Sequence, residues 1–357
     1  MGSIRFLLAL SVILVHAGSL FGVNLLPGFV AVESFYIISG FYMAMVYREK
    51  YIRSTQPVND FLVNRFLRLY PLYLLVVLMT IAFSLAMGWW RGSFGQLQFY
   101  MDHAAAYPSN FSSLVFLGVS NLTLLCQDWI TFFSFDAEGQ LRFTGLQQEM
   151  TVQPFLFVPI AWTVAVEMFF YLFVPWLARF AKPWRVLTAL ALALAVRALL
   201  WQLFEVRDGF AVYRFAPTEF FWFLLGMLSY YLYHHRLFPR GRFGMPGLVL
   251  ILLLIFGYPW HDQPWLVFGA VFLFTPAIFY QTAGWKWDRL LGEMTYPMYI
   301  SHTFFYLIVM ANHFPRPYGT ALPLVVITLA FSLLVYYGII RPMERLRANR
   351  LVAHSRT

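Results

Sequence analysis

Cysteine and charge are both scarce in this sequence, and each shortage argues against a class of protein. The single cysteine, Cys126, excludes an intramolecular disulfide and offers no cysteine partner for a zinc site. Only 11% of the 357 residues are charged, whereas a soluble domain carries about 25%. Apolar residues make up 61% of the chain, and the mean hydropathy is +0.66. These values indicate a polytopic helical membrane protein.

Ten apolar segments have the length that a helix needs to cross a bilayer. Their predicted bounds are 4–22, 27–47, 71–90, 156–178, 184–204, 213–233, 244–260, 264–283, 292–312 and 320–340. The first is interpreted as a helix and not as a signal peptide, because a second span follows within a few residues. The segment 111–126 is too short for a span and is interpreted as re-entrant or interfacial. We therefore predict an all-α membrane protein with about ten transmembrane helices. Residues 1–345 form its membrane domain, and 346–357 form a basic cytoplasmic tail.

The distribution of lysine and arginine predicts the orientation of these spans. Of the 25 basic residues, 19 lie in connections on the side of the N-terminus and 4 lie on the opposite side. Basic residues are enriched in cytoplasmic loops, so this split predicts that both termini are cytoplasmic. It also accounts for the net charge of +9 without a nucleic-acid partner.

Three ionisable residues fall near the middle of predicted spans. With a rise of 1.5 Å per residue, His16 lies about 18 Å from the cytoplasmic end of the first span, and Glu167 lies about 16 Å from the outer end of the fourth. His302 is near mid-depth in the ninth. A carboxylate beside an imidazole fixes its tautomer and stabilises its charged form, as in a general base. We predict that His16 and Glu167 are catalytic; the alternative is that each residue only bonds neighbouring helices.

Three arginines are predicted at the cytoplasmic ends of the spans. Arg65 and Arg68, within VNRFLRLYPLY, are three residues apart and project from one face of a helix. Two guanidinium groups suit bidentate recognition of phosphate. Arg5 lies on the same face of the first helix as His16. We predict a basic entrance for an anionic ligand that leads to His16; the alternative is an anchor on lipid headgroups.

Two further acidic residues and one arginine are secondary candidates. Glu33 shares a helix face with Tyr36 and Gly40, which favours a structural partner for a cation over a second acid in the site. Gly40 would allow close helix packing. Arg214 and Glu219, near the outer end of the sixth span, are interpreted as a packing pair; the alternative is contact with a polar acceptor.

The motifs that carry these residues resemble the acyltransferase-3 family of integral membrane O-acyltransferases, in its stand-alone form. The matching elements are the helix with Arg5 and His16, followed by ESFYIISGF, NRFLRLYPLY, WTVAVEMFFYLFVPW and LGEMTYPMYISH. By position, the resemblance implies that His16 is catalytic, that Arg5, Arg65 and Arg68 serve acyl-CoA, and that Glu167 belongs to the core motif that begins at Trp162. Two positions depart from the family pattern, since Glu33 stands where Asp is usual and Ile340 stands where Glu is usual.

The resemblance also implies a reaction and its partners. Family members move an acyl group, most commonly acetyl, from cytoplasmic acyl-CoA to a hydroxyl of a carbohydrate on the far side of the membrane. We therefore expect acyl-CoA as co-substrate, a carbohydrate or lipid-linked glycan as acceptor, membrane lipids as surroundings, and no metal or permanently bound cofactor. The expected location is the bacterial inner membrane.

Two other classes of function compete with this interpretation. Midplane His and Glu residues could form the proton relay of a coupled transporter. However, the sequence shows neither an inverted repeat nor a pair of broken helices, which many transporters have. A receptor or scaffold would explain neither the matched depths nor the arginine pair.

Overall fold

In the part of the chain that the structure describes, the fold is that of an all-α membrane protein with one small β-hairpin. The computed structural model describes residues 1–144, 152–179, 183–203, 213–237, 241–311 and 319–354. Its helices are α1 Gly2–Ala17, α2 Gly28–Glu49, α3 Pro57–Arg91, α4 Gly95–Ala106, α5 Phe111–Thr123, α6 Trp162–Arg179, α7 Pro183–Leu203, α8 Ala216–His234, α9 Gly244–Phe256, α10 Tyr258–His261, α11 Pro264–Thr282, α12 Lys286–Ala311, α13 Ala321–Val335 and α14 Arg341–Ala353. Strands β1 Phe133–Phe135 and β2 Leu141–Phe143 pair antiparallel, and a π-helix at Tyr336–Ile340 joins α13 to α14.

Five helical segments of the described residues are long and apolar enough to cross a membrane. They are Gly28–Arg53, Pro57–Arg91, Trp184–Gln202, Pro264–Thr282 and Ala321–Ala353. Two shorter apolar helices cover Gly2–Ala17 and Gly241–Phe256. The count of ten spans and the cytoplasmic location of both termini stay predictions.

Several predicted helix bounds were wrong. Helix α1 ends at Ala17 and not at residue 22, because Gly18, Phe21 and Gly22 have φ values of 89°, 51° and 79°, which an α-helix cannot contain. The fourth predicted span begins at Trp162 and not at residue 156. Pro159 precedes it in a turn, and proline lacks the N–H that a helix interior needs.

The chain divides into two compact units. One contains residues 1–68, 170–193 and 220–357, and the other contains residues 69–169 and 194–219. In the first unit, α1 packs against α2, α12 and α13. In the second unit, apolar side chains form a core: Leu114, Leu117, Ile130, Val152, Phe155 and Leu156.

Asp288 holds the start of α1 against α12. Its carboxylate accepts hydrogen bonds from the backbone N–H groups of Gly2 and Ser3, at 2.8 and 2.9 Å. Burial alone would raise the pKa of Asp288, but hydrogen bonds from the chain's amino group, Ser3 and Gly2 hold it well below its usual range. The helices approach so closely here that a Cβ on Gly2 would lie 1.6 Å from the Asp288 carbonyl oxygen. This capping fixes the axis of the helix that carries Arg5 and His16.

Two glycines permit an equally close approach of α2 and α8. A Cβ on Gly40 would lie 1.9 Å from the carbonyl oxygen of Phe223, and a Cβ on Gly226 would lie 1.9 Å from that of Ile37. The predicted packing role of Gly40 is therefore confirmed. Just beyond this contact, Tyr36 stacks on Phe223 with their ring centroids 4.3 Å apart.

Replacing Gly40 with leucine should prevent this helix contact from forming. The obstacle is backbone, which cannot rotate away as a side chain can, so we expect a loss of about 3 kcal/mol or more. The measurement is the yield and thermal midpoint of the detergent-solubilised protein. Gly269→Leu is the matched control, because a Cβ on Gly269 meets nothing within 4 Å. Equal loss in both variants would contradict the proposed cause.

In the second unit, Asn121 connects three segments of chain. Its Nδ2 donates to the carbonyl oxygens of Leu117 and Phe155, both at 2.9 Å. Its Oδ1 accepts from the backbone N–H of Phe157 at 2.9 Å. The Tyr73 hydroxyl donates to the Asn121 carbonyl oxygen at 2.5 Å. These bonds fix the non-helical segment that leads into α6, which carries Trp162 and Glu167.

Candidate active site

The structure brings His16 and His302 together. Their ring centroids are 5.2 Å apart and the ring planes are inclined by 34°. His16 lies in the last turn of α1, and His302 lies in α12. The two imidazoles therefore lie beside each other, although α1 ends sooner than predicted. Their depth in a membrane, and the predicted level of Glu167, stay predictions.

The hydrogen bond of His302 defines its tautomer. His302 is fully buried, and its Nδ1 lies 2.6 Å from the carbonyl oxygen of Tyr299. A carbonyl oxygen can only accept, so Nδ1 carries the proton and Nε2 offers a lone pair in the neutral ring. Among the described residues, Nε2 has no hydrogen-bond partner. His302 therefore presents an acceptor nitrogen beside the exposed imidazole of His16.

The other end of α1 places Arg5 beside α2. The guanidinium carbon of Arg5 lies 5.8 Å from the ring centroid of Tyr42, a distance at which a cation is attracted to an aromatic face. Glu33, also on α2, is buried with only 3% of its surface exposed. One helix thus carries Arg5 near its start and His16 in its last turn.

Arg65 and Arg68 lie in a cluster of charged side chains within the first unit. Arg65 is only 7% exposed, and its Nε has no hydrogen-bond partner among the described residues. Its Nη1 lies 3.9 Å from the sulfur of Met43. Arg68 forms an ion pair with Glu293 of α12, with 3.6 Å between Nη2 and Oε1. Glu293, which we did not assign from the sequence, is therefore a partner of Arg68.

Glu293 stands among several positive charges. The basic residues whose charges act on it are Arg68, Arg5, Arg347 and Arg289. Arg347 belongs to α14, in the segment predicted as a tail, and its side chain is only 11% exposed. Its contact with Glu344 is long, at 3.9 Å. The fold therefore adds Arg347 to the three arginines that the sequence indicated.

The remaining candidates lie in the second unit. Trp162, at the start of α6, has its indole under the guanidinium of Arg214, at 5.2 Å. Glu167 follows in the second turn and is half-buried. The buried carboxylate of Glu219 lies 3.4 Å from Nη1 of Arg197. Arg197 is thus a partner of Glu219 that the sequence interpretation did not assign. The pairing of Glu167 with His16 stays a prediction.

A cavity of about 360 Å³ opens beside the last turns of α1. Ser11 and Val15 line it, together with Tyr258 and Asp262. At 100° per residue, Ser11 and Val15 lie about 100–140° around the helix from His16. This cavity is therefore distinct from the path that the sequence predicted between Arg5 and His16.

The fold and these residues define an integral, multi-pass membrane protein that holds imidazole and guanidinium groups within one helical unit. The chain belongs to the acyltransferase-3 family: the family's model, described as an acyltransferase domain, matches residues 2–340.

One curated relative is similar over part of the chain. It is described as protein 2 in the picA locus of Rhizobium radiobacter. The two sequences are 36% identical over 84 residues, which cover 24% of this chain and 44% of that protein. No solved structure matches the chain.

Proposed function

We propose that this protein is a membrane O-acyltransferase that transfers an acyl group from cytoplasmic acyl-CoA to a hydroxyl of an extracytoplasmic carbohydrate or lipid-linked glycan. Acetyl, the family's common case, is the proposed acyl group, and the bacterial inner membrane is the proposed location. The observation that carries this proposal is what the two ends of α1 contact. Arg5, near its start, lies close to the basic cluster, by which we mean Arg65, Arg68 and Arg347 with Glu293. His16, in its last turn, lies against His302.

In the proposed mechanism, His16 is the general base. Its imidazole removes the proton of the acceptor hydroxyl while the oxygen attacks the thioester carbonyl. The new C–O bond forms, the C–S bond breaks, and the imidazolium returns its proton to the departing CoA thiolate. The overall products are the ester and free CoA.

Two other residues are proposed to support His16. Glu167 would orient the imidazole and stabilise its charged form. His302 would offer the lone pair of Nε2 to the reaction centre, since its proton is on Nδ1, which donates a hydrogen bond to the Tyr299 carbonyl oxygen.

Arg5, Arg65 and Arg68 are proposed to hold the phosphates of acyl-CoA. Guanidinium groups bind phosphate oxygens through paired, charge-assisted hydrogen bonds. Arg65 suits this role because its Nε is buried without a partner among the described residues. A lipid-facing anchor would instead extend its charge towards the headgroups.

The test is acyl-CoA turnover by the purified protein in lipid nanodiscs. We expect release of free CoA thiol that depends on an added carbohydrate acceptor, together with an alkali-labile ester on that acceptor by mass spectrometry. The competing hypothesis, that the protein is a proton-coupled transporter, predicts proton-coupled flux in sealed vesicles and no CoA release. That result would overturn the proposed function.

A further inference from the structure

Helix α14 turns one face towards the start of α3. Arg347 and Arg350 are three residues apart and lie on one face of this helix, and His354 follows directly after its last residue, Ala353. The imidazole Nδ1 of His354 lies 2.7 Å from Oδ1 of Asp60, and the Nε of Arg350 lies 3.5 Å from the same oxygen. The backbone N–H of Thr55 donates to the His354 carbonyl oxygen at 2.9 Å. Asp60 thus holds the end of α14 on the first turn of α3.

This attachment brings Arg347 to the basic cluster. The positive charges of Arg68 and Arg65 act on Arg347, and the negative charges acting on it come from Glu344 and Glu293. Arg65, Arg68 and Arg347 therefore outnumber the two carboxylates, Glu344 and Glu293, that act on Arg347. Burying like charges is costly unless an anion compensates them.

Several buried polar atoms of this cluster have no partner among the described residues. They are the Nε atoms of Arg65 and Arg347 and the Oδ1 atom of Asn64. Asn64 is 1% exposed and Arg65 is 7% exposed. Buried polar groups are nearly always hydrogen-bonded, so these atoms point to a polar ligand that completes the cluster.

We infer that α14 forms part of the acyl-CoA site, with Arg347 binding a phosphate of the nucleotide together with Arg65 and Arg68. Asp60 positions α14 for this role through Arg350 and His354. This inference rests on the proposed function and adds to it a residue and a helix. The ligand group that we infer is a phosphate. Acyl-CoA is the proposed source of this phosphate, and a phospholipid headgroup is the other source to be tested.

The experiment measures CoA affinity by isothermal titration calorimetry in nanodiscs of zwitterionic lipid. Arg347→Ala should weaken CoA binding by about 10- to 100-fold, the range for losing a hydrogen bond to a charged group. Arg347→Lys should lose less, because the charge remains while the planar fork is lost. Arg345→Ala is the matched control, since Arg345 lies on the same helix and is exposed. It should bind CoA as the unmodified protein does.

A second arm separates the sources of phosphate. The same titrations are repeated in nanodiscs of anionic phospholipid, with the thermal midpoint recorded for each variant. The inference is supported if Arg347→Ala weakens CoA binding in both lipids. It is overturned if CoA affinity is unchanged while stabilisation by anionic lipid is lost, or if Arg345→Ala and Arg347→Ala behave alike. Absence of CoA binding by the unmodified protein would instead contradict the proposed function.

A substitution at Asp60 tests whether the attachment of α14 positions Arg347. Asp60→Asn removes the charge that holds Arg350 and His354 but leaves all three arginines of the cluster in the sequence. We expect a several-fold weaker CoA affinity with unchanged acceptor KM. An unchanged CoA affinity would show that the docking of α14 does not position Arg347.

Discussion

His16→Ala is expected to abolish acyl transfer, with turnover reduced by about 10²- to 10⁴-fold, the usual contribution of a general base. Without the imidazole the proposed general base is missing, and His302 is not expected to replace it, because its ring is fully buried and already donates from Nδ1 to Tyr299. CoA affinity should change little, since the basic cluster involves the opposite end of α1. The measurement is acceptor-dependent CoA release by folded protein, with CoA binding measured in parallel.

The control for this variant is another histidine. His235 lies just beyond the end of α8 and is exposed, so His235→Ala should retain full activity. A His16→Ala protein that folds and transfers acyl groups at the normal rate would exclude His16 as the base. Loss of CoA binding together with turnover would indicate a structural defect and would equally contradict the assigned role.

The similar depth of His16 and His302 could be predicted from the sequence because it depends on helix geometry, whereas their direct contact was not predicted. The rise per residue is constant, so two residues near the middle of apolar runs reach similar levels even when the helix bounds are wrong by several residues. The error at the end of α1 shows the limit of this reasoning. Gly18 and Gly22 lie inside an apolar run, and hydropathy alone does not reveal that they adopt left-handed backbone conformations.

The residues missed at the basic cluster were missed for a different reason. Arg347 is about 280 positions from Arg65 and Arg68, and no local spacing connects them. Its basic surroundings predicted a solvated tail, whereas the fold docks α14 on Asp60. Glu293 was missed because only one local feature of the sequence points to it: it is an isolated carboxylate in LGEMTYPMYISH, a motif that also contains His302.

The hairpin of β1 and β2 did have a local signal. The two runs FSF and LRF flank a segment containing Asp136 and Gly139, residue types that favour tight turns. In the structure, Asp136 Oδ1 accepts from the backbone N–H of Gln140 at 2.7 Å, and Gly139 has φ 73°. Each strand has only three residues, which is too short for alternation to stand out in so apolar a chain.

The prediction with the second largest expected effect separates ligand binding from structure at the ion pair of Arg68 and Glu293. Arg68→Ala should raise the KM for acyl-CoA by about 10- to 100-fold, because a charge-assisted contact with phosphate is lost. The KM for the acceptor should change far less. Initial rates with each substrate varied in turn give both constants.

Glu293→Gln provides the opposing variant. If the ion pair serves only stability, removing either partner should destabilise the protein and impair both substrates alike. If the cluster binds phosphate, removing the Glu293 charge leaves Arg68, Arg5 and Arg347 more positive towards an anion, so the affinity for acyl-CoA should stay the same or increase. Opposite changes in the KM for acyl-CoA in the two variants would therefore assign the cluster to the nucleotide, whereas parallel increases would contradict that assignment. Because surface charge is screened by salt and buried charge much less, the difference between the variants should persist at high ionic strength.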